Sequence, residues 1–335
     1  MNIPFQPKGG DPVPGALRGF ARLYSDLVAL REDPDYLVAR QRAEGRVVGL
    51  VSGGGSGHEP LHAGFLGRGM LDAVAPGKIF SSPHNRQILE ASREAAGEQG
   101  VVHIVKNYTG DRINFGIAAE RLRHDGVEVR RVLVDDDLAT ESDDTATGRR
   151  GTGATVVVEK LLGAAADEGR GIDELAELGA RFAAASRSLA VASRAHTTWA
   201  SGEPGFALAG GELEYGVGIH GERAATTIER PPTEDLVTRM LDEIVAGLPA
   251  GPDDVLVVVN GMGGTTLLEL YALYDRVAGE LDGRGLRVVG SLAGTLVPAL
   301  DMAGFSLTLT RVEPGWRAWW DAPVVTPAYP NGATR

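Results

Sequence analysis

Two histidine-bearing glycine turns, far apart in the sequence, are the residues best suited to chemistry: Ser52-Gly53-Gly54-Gly55-Ser56-Gly57-His58-Glu59-Pro60 and Gly216-Val217-Gly218-Ile219-His220-Gly221-Glu222. Each places an imidazole where the backbone bends tightly and little side-chain bulk shields it. Imidazole is a competent nucleophile and base near neutral pH, so the pattern suits a small polar substrate held against a reactive nitrogen. The first turn also offers backbone N–H groups able to grip the oxygens of an anion or a polyol. It lacks the Lys-Ser/Thr ending of a phosphate-binding loop, and its spacing is not that of a dinucleotide fingerprint. An NAD-dependent oxidoreductase would rest on this turn alone.

Lys106-Asn107-Tyr108-Thr109-Gly110-Asp111 adds an ammonium and a carboxylate. The other five histidines carry less. His103 falls inside an apolar run and reads as a core residue, and His124, beside Asp125-Gly126, reads as a surface turn. His62, four residues after His58, and His84 are placed to face a cleft, while His196 has no interpretable context. None repeats a metal-ligand spacing, and His58 with His62 lacks the glutamate of a helical zinc pair. Asp135-Asp136-Asp137 with Asp143-Asp144 has the oxygen chemistry of a magnesium site but reads as a solvated strand end.

The elements that must position these groups follow from hydrophobic period. Val47–Val51, Val101–Val105 and Val127–Val134 are short continuous apolar runs, the pattern of strands buried on both faces. Helical patterns follow them, with Pro60 at the start of a helix through Leu61, Phe65 and Leu66, and a second from Ile113 to Leu122. Alternation of strand and helix predicts a mostly parallel sheet flanked by helices. His58, Lys106 and Asp111 then lie just past strand ends, where ligands of such sheets collect. Ala139–Gly153 reads as a loop, tightest at Gly148-Arg149-Arg150-Gly151. Helices are expected over Ala154–Ala166 and Ile172–Leu189, the latter with Ile172, Leu175, Phe182 and Leu189 on one face. Beyond them, a Gly/Pro-rich stretch over Ser201–Gly211 leads through Leu213–Ile219 to His220, and Val255–Val259, Leu286–Val289 and Leu307–Val312 read as strands and Thr233–Leu248 as a helix, giving a second, mixed sheet. The division is placed near Ser188: an α/β domain over residues 1–188 and a second α/β domain over 189–335 that carries His220. The tail from Thr326 to Arg335 is expected to be loosely ordered.

Length and charge bound the partners. A chain of 335 residues is about the size of two domains. A net charge of -12 disfavours nucleic acid and anionic membranes, whose phosphates attract basic faces. With no cysteine there are no disulfides, thiolate nucleophiles or Cys-ligated zinc. No run approaches the roughly 20 apolar residues of a membrane span, and Met1–Pro14 lacks the apolar stretch of a secretory signal, so the expected location is the cytoplasm.

Five segments carry a resemblance, in order along nearly the whole chain: Ser52–Pro60, Lys106–Asp111, Gly148–Gly151, Gly216–Glu222 and Asn260-Gly261-Met262-Gly263-Gly264-Thr265. Together they resemble the motif series of dihydroxyacetone kinases, in their substrate-binding subunit or domain. The resemblance implies that His220 adds through its ring nitrogen to the substrate ketone, forming a hemiaminal that selects short-chain carbonyl compounds over glycerol. It implies that His58 hydrogen-bonds the adduct, that Asp111 takes the proton of the attacking hydroxyl, and that Gly55, Ser56, Gly57 and Lys106 line the site. It implies no cofactor or metal on this chain. Nucleotide and magnesium would come on a helical partner subunit, recharged through a phosphoenolpyruvate relay or using free ATP, and the chain would form a homodimer. The sequence departs from the family pattern at Arg223-Ala224 after the His220 turn, at Ser81-Ser82-Pro83-His84-Asn85, at Gly151-Thr152-Gly153-Ala154 and at Thr197-Thr198-Trp199-Ala200. Those departures bear on substrate size and keep open a kinase for a four-carbon ketose such as erythrulose; a second alternative is a ketose-binding sensor or coregulator without kinase activity, a kind of paralogue that can keep the histidine and lose the base.

Overall fold

The computed structural model describes residues 10–140, 148–223 and 226–330. They divide into two compact units, one holding residues up to Val134, Thr155–Ala183 and the segment from Ala318, the other Asp135–Ala154 and Ala184–Arg317. The division is therefore not the single cut expected near Ser188. The chain changes unit four times, and Ser188 lies inside a strand.

The N-terminal unit begins with α1 (Val13–Leu23), β1 (Val28–Arg31), β2 (Tyr36–Ala39), β3 (Gly49–Ser56) and β4 (Ala73–Ile79). It continues through α2 (Asn85–Ala95), β5 (Val101–Lys106), α3 (Thr109–His124), β6 (Val129–Val134), α4 (Ala154–Asp167) and α5 (Ile172–Ala184). Its sheet runs β1-β2-β4-β3-β5-β6. The four strands β4, β3, β5 and β6 are parallel, and β1 and β2 join antiparallel at one edge. Ile88, Leu89, Phe115, Ala118 and Leu122 of α2 and α3 pack on Val51, Val101 and Val105. His103 is in this core as expected, bonded to Ser92 Oγ at 2.8 Å, and burial lowers its pKa to about 3. His124 is exposed at the end of α3.

Four local expectations are corrected. The glycine run is strand rather than loop: β3 continues to Ser56 because its neighbours leave no room for side chains. A Cβ on Gly53 would lie 2.4 Å from Ala75 O, and one on Gly55 2.6 Å from Ser81 N. The helix expected from Pro60 is a single 3-10 turn, Ala63–Phe65. The second helix stops at Ala184, and Leu189 lies instead in the next strand, where an antiparallel partner replaces the helical face. The tail is docked as far as it is described. Ala328 N–H donates to Gly64 O at 2.9 Å, and the buried Tyr329 ring meets Phe65 and Trp320 edge-on.

The C-terminal unit holds β7 (Ser186–Arg194), β8 (Glu212–Tyr215), β9 (Thr226–Glu229), α6 (Thr233–Gly247), β10 (Asp254–Gly261), α7 (Leu267–Gly283), β11 (Arg287–Gly294) and β12 (Ala303–Arg311); α8 (Trp316–Asp321) follows. Its sheet is mixed, β11-β10-β12-β7-β8-β9, with β10 and β11 parallel and the rest antiparallel. Leu236, Met240 and Ile244 of α6, with Leu270 and Val277 of α7, cover its Val255, Val257, Leu307 and Leu309. The fold class is the expected one, two α/β units with one mostly parallel and one mixed sheet.

The aspartates after β6 are structural. The Asp136 carboxylate accepts from Thr152 N at 2.7 Å, Thr152 Oγ1 at 2.8 Å and Ala154 N at 3.0 Å, and from Ser188 Oγ. Asp137 pairs with Arg150. Saturated with donors, these oxygens hold the loop to β7 and are not a solvated strand end. Asp143 and Asp144 lie outside the described residues. No group of three metal-ligating side chains occurs among those that are described.

Candidate active site

Two clusters carry the sequence-predicted residues, one in each unit. In the N-terminal unit, Lys106 is the last residue of β5 and Asp111 sits in the first turn of α3, where the helix N-terminus favours a carboxylate. Lys106 is 1% and Asp111 3% exposed. Lys106 Nζ lies 4.0 Å from Asp111 Oδ2, 3.3 Å from Gly53 O and 2.7 Å from His62 Nε2. Burial lowers the Lys106 pKa, against the pull of Asp111 and Glu159. Asp111 Oδ1 has no hydrogen-bond partner among the described residues. A buried carboxylate oxygen left without a donor is costly.

His58 follows β3 and is buried, its ring stacked on Phe80 at 5.1 Å. The neighbouring polar groups are turned inward: Ser56 Oγ donates to Gly77 O at 2.7 Å, and Gly57 N–H donates to the Glu59 carboxylate at 2.9 Å. Gly54 has a specific reason to be glycine. A Cβ there would stand 2.2 Å from Lys106 Nζ and 3.3 Å from His62 Nε2. Gly54→Ala is expected to displace the ammonium and lower turnover by about 10²-fold, the scale of a 1 Å misplacement near reacting groups. Steady-state kinetics beside a thermal unfolding midpoint checks this, and unchanged turnover in a folded variant contradicts it.

In the C-terminal unit, His220 is held by its own turn. Its Nδ1 lies 2.7 Å from Glu222 Oε1, and its backbone N–H donates to Glu222 Oε2 at 2.9 Å. With the proton on Nδ1 shared with a carboxylate, the lone pair is on Nε2, the arrangement that makes an imidazole a nucleophile. The side chain is 18% exposed, shielded but not sealed. The turn is tight: Gly221 N–H donates to Gly218 O at 3.1 Å, Gly221 has φ +76°, and a Cβ on Gly218 would collide with Glu222 Oε2 at 2.0 Å. Burial works to raise the Glu222 pKa, but the hydrogen bond from His220, with Arg150, brings it down to about 2. Arg150 braces the turn by donating to Gly216 O at 2.9 Å and to Asp137 Oδ2 at 2.7 Å. Burial raises Asp137 to about 6 against that same guanidinium. His196 packs under the turn, next to Gly221, and its pKa is lowered by burial.

Sequence reasoning did not assign roles to Glu222, Arg150, His62 or Glu159. Glu222 sits inside a quoted motif, two residues from His220, and that spacing was its signal. His84 is not at the cluster; it caps α2, accepting from Arg86 N at 3.2 Å.

A model of the Dak1 domain matches residues 18–328. The chain belongs to the Dak1 family. It is 40% identical over 341 residues to the dihydroxyacetone-binding subunit of the PEP-dependent dihydroxyacetone kinase of Escherichia coli, covering 93% of this chain and 94% of that protein. It is 36% identical to the L-erythrulose 1-kinase of Mycolicibacterium smegmatis, covering 95% of this chain and 56% of that one. Among solved structures it matches the dihydroxyacetone kinase operon co-activator Dha-DhaQ with a TM-score of 0.91 at 31% identity, over 97% of this chain and 100% of that one. The family resemblance read from the five motifs is thus shown. The relatives' names span kinase and co-activator, so the residues of this chain must discriminate.

Proposed function

We propose that this chain is the ketose-binding subunit of a dihydroxyacetone kinase. His220 Nε2 attacks the carbonyl carbon, the C=O π pair moves to oxygen, and that oxygen takes a proton from solvent water to give a hemiaminal. Glu222 holds the positive charge that builds on the ring. His58 hydrogen-bonds the adduct, and Gly55, Ser56, Gly57 and Lys106 line the site. Asp111 takes the proton of the terminal hydroxyl as that oxygen attacks phosphorus. The phosphoryl donor, with its nucleotide and magnesium, sits on a helical partner subunit recharged from phosphoenolpyruvate, and the chain acts as a cytoplasmic homodimer. No described helix is long and apolar enough to cross a membrane.

The observation that carries the proposal is the His220 ring with its Nδ1 2.7 Å from Glu222 Oε1, a contact that, with the proton on Nδ1, leaves the lone pair on Nε2. Glycerol has no carbonyl for that nitrogen to attack. The sensor reading is motivated by the fold match to a co-activator. The presence of Asp111 favours catalysis, because it is the carboxylate that the resemblance makes the base and that a sensor keeping only the histidine can lose. The test is to mix the chain with a nucleotide-carrying helical subunit, under phosphoenolpyruvate relay or ATP, and to assay dihydroxyacetone, erythrulose and glycerol. Phosphorylation of a ketose and not of glycerol is expected. Ketose binding without any phosphorylation would favour the sensor, and preferred turnover of erythrulose would move the substrate to four carbons.

A further inference from the structure

Behind the Asp111 cluster lie two buried titratable side chains that the proposed chemistry does not use. Glu159 is in the middle of α4, a helix buried on every side, and is 0% exposed; His62 follows β3 and is 4% exposed. Glu159 Oε1 lies 2.6 Å from His62 Nδ1, and His62 Nε2 lies 2.7 Å from Lys106 Nζ. The three side chains form an unbroken line from the interior to the Asp111 carboxylate.

The donors and acceptors along that line admit one arrangement once Lys106 is an ammonium. An ammonium only donates, so His62 Nε2 accepts and carries no proton. Burial first, then the charges of Lys106 and His58, push the His62 pKa well below its ordinary value, so the ring is neutral and its one proton is on Nδ1. That proton goes to Glu159. Ser52 Oγ, 3.0 Å from the same nitrogen, directs its own hydrogen to Ile104 O at 2.8 Å. The titratable groups facing the line are Lys106 from β5, Asp111 from α3, Glu159 from α4 and His58 from the turn after β3. Burial raises Glu159 to about 8, with Lys106 opposing.

We propose that Glu159 and His62 are positioning residues for the kinase reaction: Glu159 locks His62 in the Nδ1–H form, and His62 Nε2 in turn anchors the Lys106 ammonium so that it faces Asp111 and the hydroxyl to be phosphorylated. The proposal rests on the function assigned above. A network that merely satisfied buried polar atoms would affect stability and not the protonation pattern at Lys106.

Two measurements test it. Nitrogen-15 NMR of the histidine rings in the full chain, with His62 assigned by its loss in His62→Gln, is expected to show a neutral Nδ1–H ring. A proton on Nε2 overturns the proposal, and this result needs no activity, only a folded His62→Gln for the assignment. In kinetics with the partner subunit, Glu159→Gln is expected to lower kcat about tenfold or more with the ketose KM within about threefold, by analogy with other outer-shell partners. Removing the Glu159 charge also lowers the Lys106 pKa, so the alkaline limb of the kcat profile moves to lower pH. His62→Gln, whose side-chain oxygen can accept from Lys106, should recover part of the turnover that His62→Leu loses. Wild-type kcat and pH profile in folded Glu159→Gln overturn the proposal. If the wild-type chain phosphorylates no ketose, the assigned function fails, while the tautomer still decides whether Glu159 holds His62 in the Nδ1–H form.

Discussion

Asp111→Asn is expected to lower kcat for ketose phosphorylation by about 10²- to 10⁴-fold, the usual contribution of a general base, while ketose affinity changes little. The substitution keeps the shape of the side chain at the start of α3 and removes only its capacity to accept a proton. Asp111 is buried with one oxygen unpartnered among the described residues and the other 4.0 Å from Lys106, which leaves that oxygen able to take the proton of the proposed hydroxyl. At 1.36 kcal/mol per tenfold, the loss amounts to roughly 3 to 5 kcal/mol of transition-state stabilisation. Single-turnover rates with the charged partner subunit, beside a separate binding titration, check the split. Equal losses in binding and turnover contradict the assignment of Asp111 as base.

His220→Ala has the opposite signature. Removing the nucleophile is expected to weaken dihydroxyacetone binding by about 10²-fold, on the order of 3 kcal/mol at 1.4 kcal/mol per tenfold, and to erase most of the discrimination against glycerol. The remaining contacts are hydrogen bonds that a triol can also make. Asp137 and Arg150 hold the turn from outside it, so the variant is expected to fold. Calorimetric titration with both ligands reads the effect. Undiminished preference for the ketose in His220→Ala contradicts the covalent mode.

Much of the architecture was legible because its strands are apolar runs with clear punctuation. Val101–Lys106 and Asp254–Gly261 needed only their β-branched residues to be read. β4 was not legible: Ala73-Val74-Ala75-Pro76-Gly77-Lys78-Ile79 carries a proline and a glycine that argue against a strand, yet a Cβ on Gly77 would come 2.0 Å from Ser81 O. A close approach of backbone explains that glycine, and no local pattern announces it. The end of α5 was misplaced because Leu189 continued the helical spacing, whereas pairing of β7 with β12 decides its conformation. The two clusters show the same division. His58, Lys106, Asp111 and His220 stand beside glycines or strand ends and advertise themselves. Glu159 is 97 residues from His62, so their contact exists only in three dimensions. Its trace in sequence is one Glu-Lys pair, Glu159-Lys160, in the otherwise apolar middle of α4, a helix buried all round. A charge in such a helix demands a partner.

The account turns on the bond formed at His220. Dihydroxyacetone carrying carbon-13 at its carbonyl, added to the purified chain and followed by NMR, tests that bond without any partner subunit. The bound ligand is expected to lose its carbonyl resonance and gain one typical of a saturated carbon bearing oxygen and nitrogen, absent in His220→Ala and retained in Asp111→Asn. A bound ketose that keeps its carbonyl signal in the wild-type protein would contradict the covalent mechanism.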